Sequence, residues 1–187
     1  MKKFELTNEF ITNMFGTKLF RIRALVEFGD VEAGELGGYV EKESNLGHDD
    51  NAWVYDNAWV YGDARVSGDA RVYDNARVYG DAQVSGNALV CGDARVCGNG
   101  DYAYAHGFGS VNRTTTFFRL KDGGVGVRCG CFYGTLAQFR DKIRETHGES
   151  AIAEEYLDLA ALMEKRFRRT GTEDRRRKLR RMFITQN

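Results

Sequence analysis

Three histidines, His48, His106 and His147, are the side chains of this chain that exchange a proton most readily near neutral pH. His106, in "YAHGFGS", is the best placed of the three to act as a general base, a role that needs a positioned ring and a partner in hydrogen-bond reach. His147 stands beside Gly148, where a cation favours a helix C-terminus, and His48 lies in "GHDD". The four cysteines (Cys91, Cys97, Cys129 and Cys131) lack zinc spacing, so neither a metal centre nor a cofactor is expected. Cys129 and Cys131, in "VRCGCFYG", read as buried, inert thiols on one side of a strand. The carboxylates at 49, 50, 63, 69, 81 and 93 read as turn residues.

Binding chemistry has more material. Trp59, Tyr61, Arg71, Arg77, Tyr79, Arg95, Arg113 and Arg119 are types that stack on rings and pair with anions. A second set, Arg175, Arg176, Arg177, Lys178, Arg180 and Arg181, suits salt-sensitive contact with nucleic-acid phosphates. From Glu164 to Asn187 there are ten Lys/Arg against three Asp/Glu, a local +7. The chain as a whole is neutral, so the remainder carries −7. The basic run could therefore also pair with the acidic body or with a neighbouring subunit.

The residues of the middle are positioned by a repeat. From Asn51 to Gly98 eight hexads run without interruption, each Asn/Asp, Ala, variable, Val, variable, Gly/Asp. Ala and Val lie two apart and point to one side of an extended chain. The pairs between them form turns. A hairpin meander would leave an Ala/Val face uncovered and let near-identical strands slip. A solenoid encloses that face and stacks like on like.

This pattern resembles the hexapeptide repeat of left-handed parallel β-helices. That resemblance implies three hexads to a coil of 18 residues, a homo-oligomer that is commonly a trimer, and, in many members, acyl transfer with a histidine base near a projecting loop. On an 18-residue coil, face one carries Trp53, Arg71, Leu89 with Tyr55, Tyr73, Cys91. Face two carries Trp59, Arg77, Arg95 with Tyr61, Tyr79, Cys97, and face three only Arg65, Gln83, Ser67 and Ser85. Cys91 and Cys97 then point apart, too far round the coil for a disulfide. One aromatic face is expected to be buried against the rest of the chain or against another subunit. "GGYVEKESNLGHDD" reads as a degenerate start, with Val40 and Leu46 in the Ala phase.

The open ends of a solenoid need caps. "TKLFRIRALVEFG" alternates as a half-buried strand (Phe20, Ile22, Ala24 against Arg21, Arg23) and with "GDVEAGELGGYV" forms the first cap. "TTTFFRL", "KDGG" and "VGVRCGCFYG" read as a hairpin. "GTLAQFRDKIRETHG" reads as a helix with Thr135 and Gln138 as a capping box and Gly148 as its stop. "SAIAEEYLDLAALMEKRFRR" is a longer one, N-capped by Ser150, with Ile152, Tyr156, Leu159 and Met163 on one face. "TEDRRRKLRRMFITQN" begins like a further capped helix at Thr172, or stays unfolded. The expected fold is mainly β: an N-terminal strand cap (1–38), a short left-handed β-helix (39–99), a small α+β unit (100–168) and a basic tail (169–187).

"FGDVEAGELGGYVEKESNL", hexads from "NAWVY" and "CGCFYGTLAQFRDKIRETHG", in this order, resemble a group of bacteriophage and prophage hexapeptide-repeat proteins. The likeness covers residues 20–168 and implies a setting rather than a mechanism. No apolar run approaches the roughly 20 residues of a membrane span, and "MKKFELTNEF" lacks the apolar core of a secretory signal, so a cytoplasmic protein of the bacterial host is expected. The hexads carry neither histidine nor inserted loop, so acyl transfer through His106 is the weaker expectation. The leading one is a non-enzymatic, oligomeric binding protein of phage origin, capturing a small nucleotide-like anion or blocking a host defence protein. Nucleic-acid binding through the tail is the alternative.

Overall fold

The computed structural model describes residues 2–109 and 111–184, with side chains through residue 171. Two antiparallel strands, β1 (Phe4–Thr12) and β2 (Lys18–Ala24), lead into β3 (Leu36–Val40). The sequence shows the second of these but hides β1, because a register shift between Leu6 and Phe10 breaks its alternation. β3 pairs antiparallel with β2 and parallel with the first strand of one solenoid face, so the cap and that face form a continuous sheet.

Eight two-residue strands follow, one per hexad: β4 (Trp53–Val54), β5 (Trp59–Val60), β6 (Arg65–Val66), β7 (Arg71–Val72), β8 (Arg77–Val78), β9 (Gln83–Val84), β10 (Leu89–Val90) and β11 (Arg95–Val96). Each pairs in parallel with a strand 18 residues away: Trp53 with Arg71 and Arg71 with Leu89, Trp59 with Arg77 and Arg77 with Arg95, Arg65 with Gln83. This is a parallel β-solenoid of about three coils with the three faces read from the sequence. The Ala and Val of every hexad are at most 1 % exposed. Burying each Val stabilises the coil by about 1.5–3 kcal/mol relative to leaving it in water.

The first coil differs from expectation. Val40 pairs with Val60 and Leu46 bridges Val66, both 20 residues apart, so these two occupy the Val position and not the Ala phase. Leu46 and Val54 are separated by two residues more than a hexad allows, and the slack falls in "GHDD". Asn45, fully buried, closes this coil by donating from Nδ2 to the carbonyls of Gly62 (3.1 Å) and Ala64 (2.7 Å). Gly37 and Gly38 pass so close over Val54 and Ala58 that a Cβ on either would strike a backbone carbonyl.

The sixth residue of most hexads turns the corner with positive φ, usually as glycine but as aspartate at Asp56 (52°) and Asp74 (59°). These two are bonded down their own corner. The Asp56 carboxylate accepts from Asp74 N–H (3.3 Å), and that of Asp74 accepts from Gly92 N–H (3.0 Å). Asp50 does the same for Gly68 N–H (3.2 Å).

Beyond the coils, β12 (Tyr102–Phe108), β13 (Arg113–Arg119), β14 (Val125–Cys129) and β15 (Phe132–Thr135) form an antiparallel sheet in chain order. The expected hairpin is β13–β14, with β12 and β15 added at its edges. Alternate side chains serve opposite faces. Thr116 and Phe118 face the solenoid, where Thr116 Oγ1 accepts from Leu89 N–H (2.9 Å) and Phe118 joins the coil core. Phe117 and Val127 face the helices.

Helix α1 (Leu136–His147) has the capping box of Thr135 and Gln138 and ends at Gly148 with φ 57°, as its sequence predicts. Helix α2 (Ala151–Ile184) begins with Ser150 Oγ accepting from Ala153 N–H (3.3 Å) and buries Tyr156, Leu159 and Met163 against the sheet. It runs on past 168 in place of ending there. The appendage sheet is thus held between the last coil and a helical pair. Among the described residues no helix is long and apolar enough to cross a membrane.

Candidate functional surface

Face one is closed by the chain itself. Trp53, outward by strand parity, is 0 % exposed because Phe4 (6.2 Å between ring centroids) and Phe28 (5.3 Å) from the N-terminal cap pack edge-on against it. Asp30 accepts from Tyr55 Oη (3.1 Å) and pairs with Arg71 (2.8 Å). From the other end Arg128 reaches over Tyr73, 5.8 Å from its ring centre. Cys91 is buried beneath, its thiol pushed up to about 11 by desolvation. Of the two ways to bury an aromatic face, the chain uses its own caps.

Face two keeps the side chains of its hexads half-exposed, and only Tyr39, at the cap, is buried. Tyr39, Trp59, Arg77 and Arg95 stand one above another on β3, β5, β8 and β11. The Arg77 guanidinium lies 3.9 Å from the centre of the Trp59 ring. In the neighbouring column Tyr61 and Tyr79 stack at 5.2 Å with planes 7° apart. Arg95 donates to the carbonyls of Asn75 (3.0 Å) and Ala94 (2.7 Å). Neither Arg77 nor Arg95 has an ion pair among the described residues. Burial, and behind it the like charge of Arg77, lowers the proton affinity of Arg95, while burial raises the Tyr79 hydroxyl to about 12. The arrangement therefore presents two arginines on neighbouring strands of one face, paired Arg95 with Arg77 in register, with rings beside them and a like-charge repulsion that an incoming anion relieves.

Five of the eight residues singled out in the sequence, Trp59, Tyr61, Arg77, Tyr79 and Arg95, are brought together here. Arg71 is on face one, engaged by Asp30. Arg119 pins α2, donating to the Phe167 carbonyl (2.8 Å) and lying 5.0 Å from that residue's ring centre. Arg113 belongs to a cleft in the appendage. His106 is exposed on β12, its Nδ1 2.8 Å from Thr114 Oγ1, outside the coils. The side chains of Arg175, Arg176, Arg177, Lys178, Arg180 and Arg181 lie outside the described residues.

One reading changes here. Cys129 and Cys131 do not share one strand face: β14 ends at Cys129, Gly130 turns with φ 56°, and Cys131 is exposed. The appendage cleft, which gathers Arg113, Cys131, Lys142, His147 and Tyr156, has no continuous signal because it is assembled from four separate segments. No group of three or more His, Cys, Asp or Glu among the described residues could hold a metal ion.

Residues 70–84 and 82–98 each match the family model described as the YdcK beta solenoid repeat. These stretches hold β7 to β11, and the match supports a β-solenoid repeat. No curated protein matches the chain.

Proposed function

We propose that this chain acts by binding rather than catalysis, as a rigid solenoid whose second face meets an acidic partner protein. The guanidiniums of Arg77 and Arg95, which have no ion pair among the described residues and are set among Trp59, Tyr61 and Tyr79, carry this reading. Trp, Tyr and Arg are the types that dominate the energetics of protein interfaces. A ladder on a sheet face is a surface, whereas small-molecule sites are concave, so a protein is favoured over a free nucleotide as occupant. The resemblance to left-handed hexapeptide proteins of phages supplies the rest of the reading: a left-handed coil, trimeric assembly, and a host defence protein as the target that is blocked.

The test is affinity purification of the tagged wild type and of the Arg77→Glu/Arg95→Glu double variant from host cells, with quantitative mass spectrometry and light scattering. One protein lost from the variant, with an unchanged melting temperature, supports the reading. The same companions on both proteins overturn it. A wild-type oligomer that the variant reduces to monomers makes a second copy the occupant and removes the host protein.

A further inference from the structure

Where α1 and α2 lie against the end of β14, a cleft of about 340 Å³ opens on the side of the appendage away from the coils. Its walls are rings: Phe132 and Phe139 at 5.4 Å, Phe139 and Tyr156 edge-on at 5.9 Å. His147 stacks on Tyr156 at 6.0 Å. The Tyr156 hydroxyl donates to the Phe108 carbonyl (3.2 Å) and is held protonated by burial, raised to about 12.

The mouth is cationic. Among the described residues that line the cleft there is no carboxylate, while Arg113 and Lys142 both border it. Lys142 is shared with Glu145 at 2.9 Å on its exposed side. Arg113 has no ion pair among the described residues. Its guanidinium occupies the space over Gly130, where any Cβ would collide with Nη1. The glycine between Cys129 and Cys131 thus leaves room for an arginine at the mouth. Apolar walls with a few convergent polar groups are the make-up of a small-molecule site, and 340 Å³ is at the small end of the range.

We propose that this cleft binds a small aromatic carboxylate, its ring against the wall that Phe132 and Phe139 form and its carboxylate on Arg113, with Lys142 adding charge. A guanidinium offers the planar pair of donors that a carboxylate accepts. Aromatic walls favour a flat body over a branched one. The site is separate from face two, so either proposal stands or falls alone.

Calorimetry with 2-naphthoate as probe, and 2-naphthalenemethanol as its neutral counterpart, tests this on the full chain. Naphthoate is expected to bind once per chain and to slow alkylation of Cys131, which is exposed at the mouth. The alcohol and the Arg113→Met variant are each expected to lose about tenfold in affinity, the usual worth of a hydrogen bond to a charged group. Thr146→Trp, an exposed rim position on α1, fills the cleft from outside the core and is expected to abolish binding. No heat at millimolar naphthoate, equal binding of acid and alcohol, or binding that survives Thr146→Trp overturns the proposal.

Discussion

The Arg77 guanidinium lies over the indole of Trp59, 3.9 Å from its centre, one coil away on the same open face. A cation on a half-exposed ring stabilises by only about 0.5–1 kcal/mol. Arg77→Ala is therefore expected to lower stability by no more than that in urea unfolding, while greatly weakening partner capture. Arg77→Lys keeps the charge without the guanidinium and falls between. A loss of stability of several kcal/mol in Arg77→Ala would mean that the pair holds the coil and is not a contact surface.

The two tryptophans should behave as opposites. Trp53 is enclosed by Phe4 and Phe28, and its replacement by Ala is expected to cost about 3–5 kcal/mol. Trp59, on the uncovered face, should cost roughly 1 kcal/mol or less. Comparable losses at both sites, measured by denaturant unfolding, would show that face two is covered in solution.

Asp74 separates strain from hydrogen bonding. Its φ of 59° is unfavourable for a residue with a Cβ, yet its carboxylate satisfies Gly92 N–H. Asp74→Ala keeps the strain and drops the bond, and about 1–2 kcal/mol of destabilisation is expected. Asp74→Gly drops both and should be closer to neutral. Equal effects of the two substitutions would show that the positive φ stores no strain at this corner.

Lys3 gives the fold a pH signature. It is 3 % exposed, donates to the carbonyls of Asp50 (2.6 Å) and Ala52 (2.8 Å), and lies 4.5 Å from the Phe28 ring centre. Desolvation lowers its pKa from 10.5 to about 8, against the pull of Asp50, Asp49 and Asp69. The unfolded chain then binds this proton more readily than the folded one between pH 8 and 10.5, so this term adds stability as pH rises. Cys91, raised to about 11, and Tyr55 and Tyr79, raised to about 12, act in the opposite sense, losing stability as pH rises. The melting-temperature difference between wild type and Lys3→Met isolates the lysine. It should move in favour of wild type from pH 8 to 10, and a flat difference refutes the assignment.

How far each feature was legible in the sequence follows from how local its cause is. The faces and α1 were readable because their signals are short-range: an Ala–Val spacing of two, and Thr135 with Gln138 three residues apart. The first coil was misphased because Val40 and Leu46 fit either inward position, and only the slack in "GHDD" decides between them. The burial of Trp53 depends on Phe4, almost 50 residues away, which no periodicity reports. The appendage cleft was invisible for the same reason. Arg113, Cys131, Lys142 and Tyr156 mean little singly, and their meeting depends on how β13, β14 and two helices pack.

The two caps have a consequence for how this molecule can change in length. The N-terminal sheet is continuous with β3 and β5, and Leu120 bridges Ala94 at the far end, so neither end of the coil is open to further stacking. Growth is confined to the interior, in whole units of the 18-residue register that links Trp53, Arg71 and Leu89. Each added unit would carry the helical appendage away from the N-terminal sheet by about 4.8 Å while leaving both junctions intact. The protein is in effect a spacer with fixed fittings, adjustable by duplication alone.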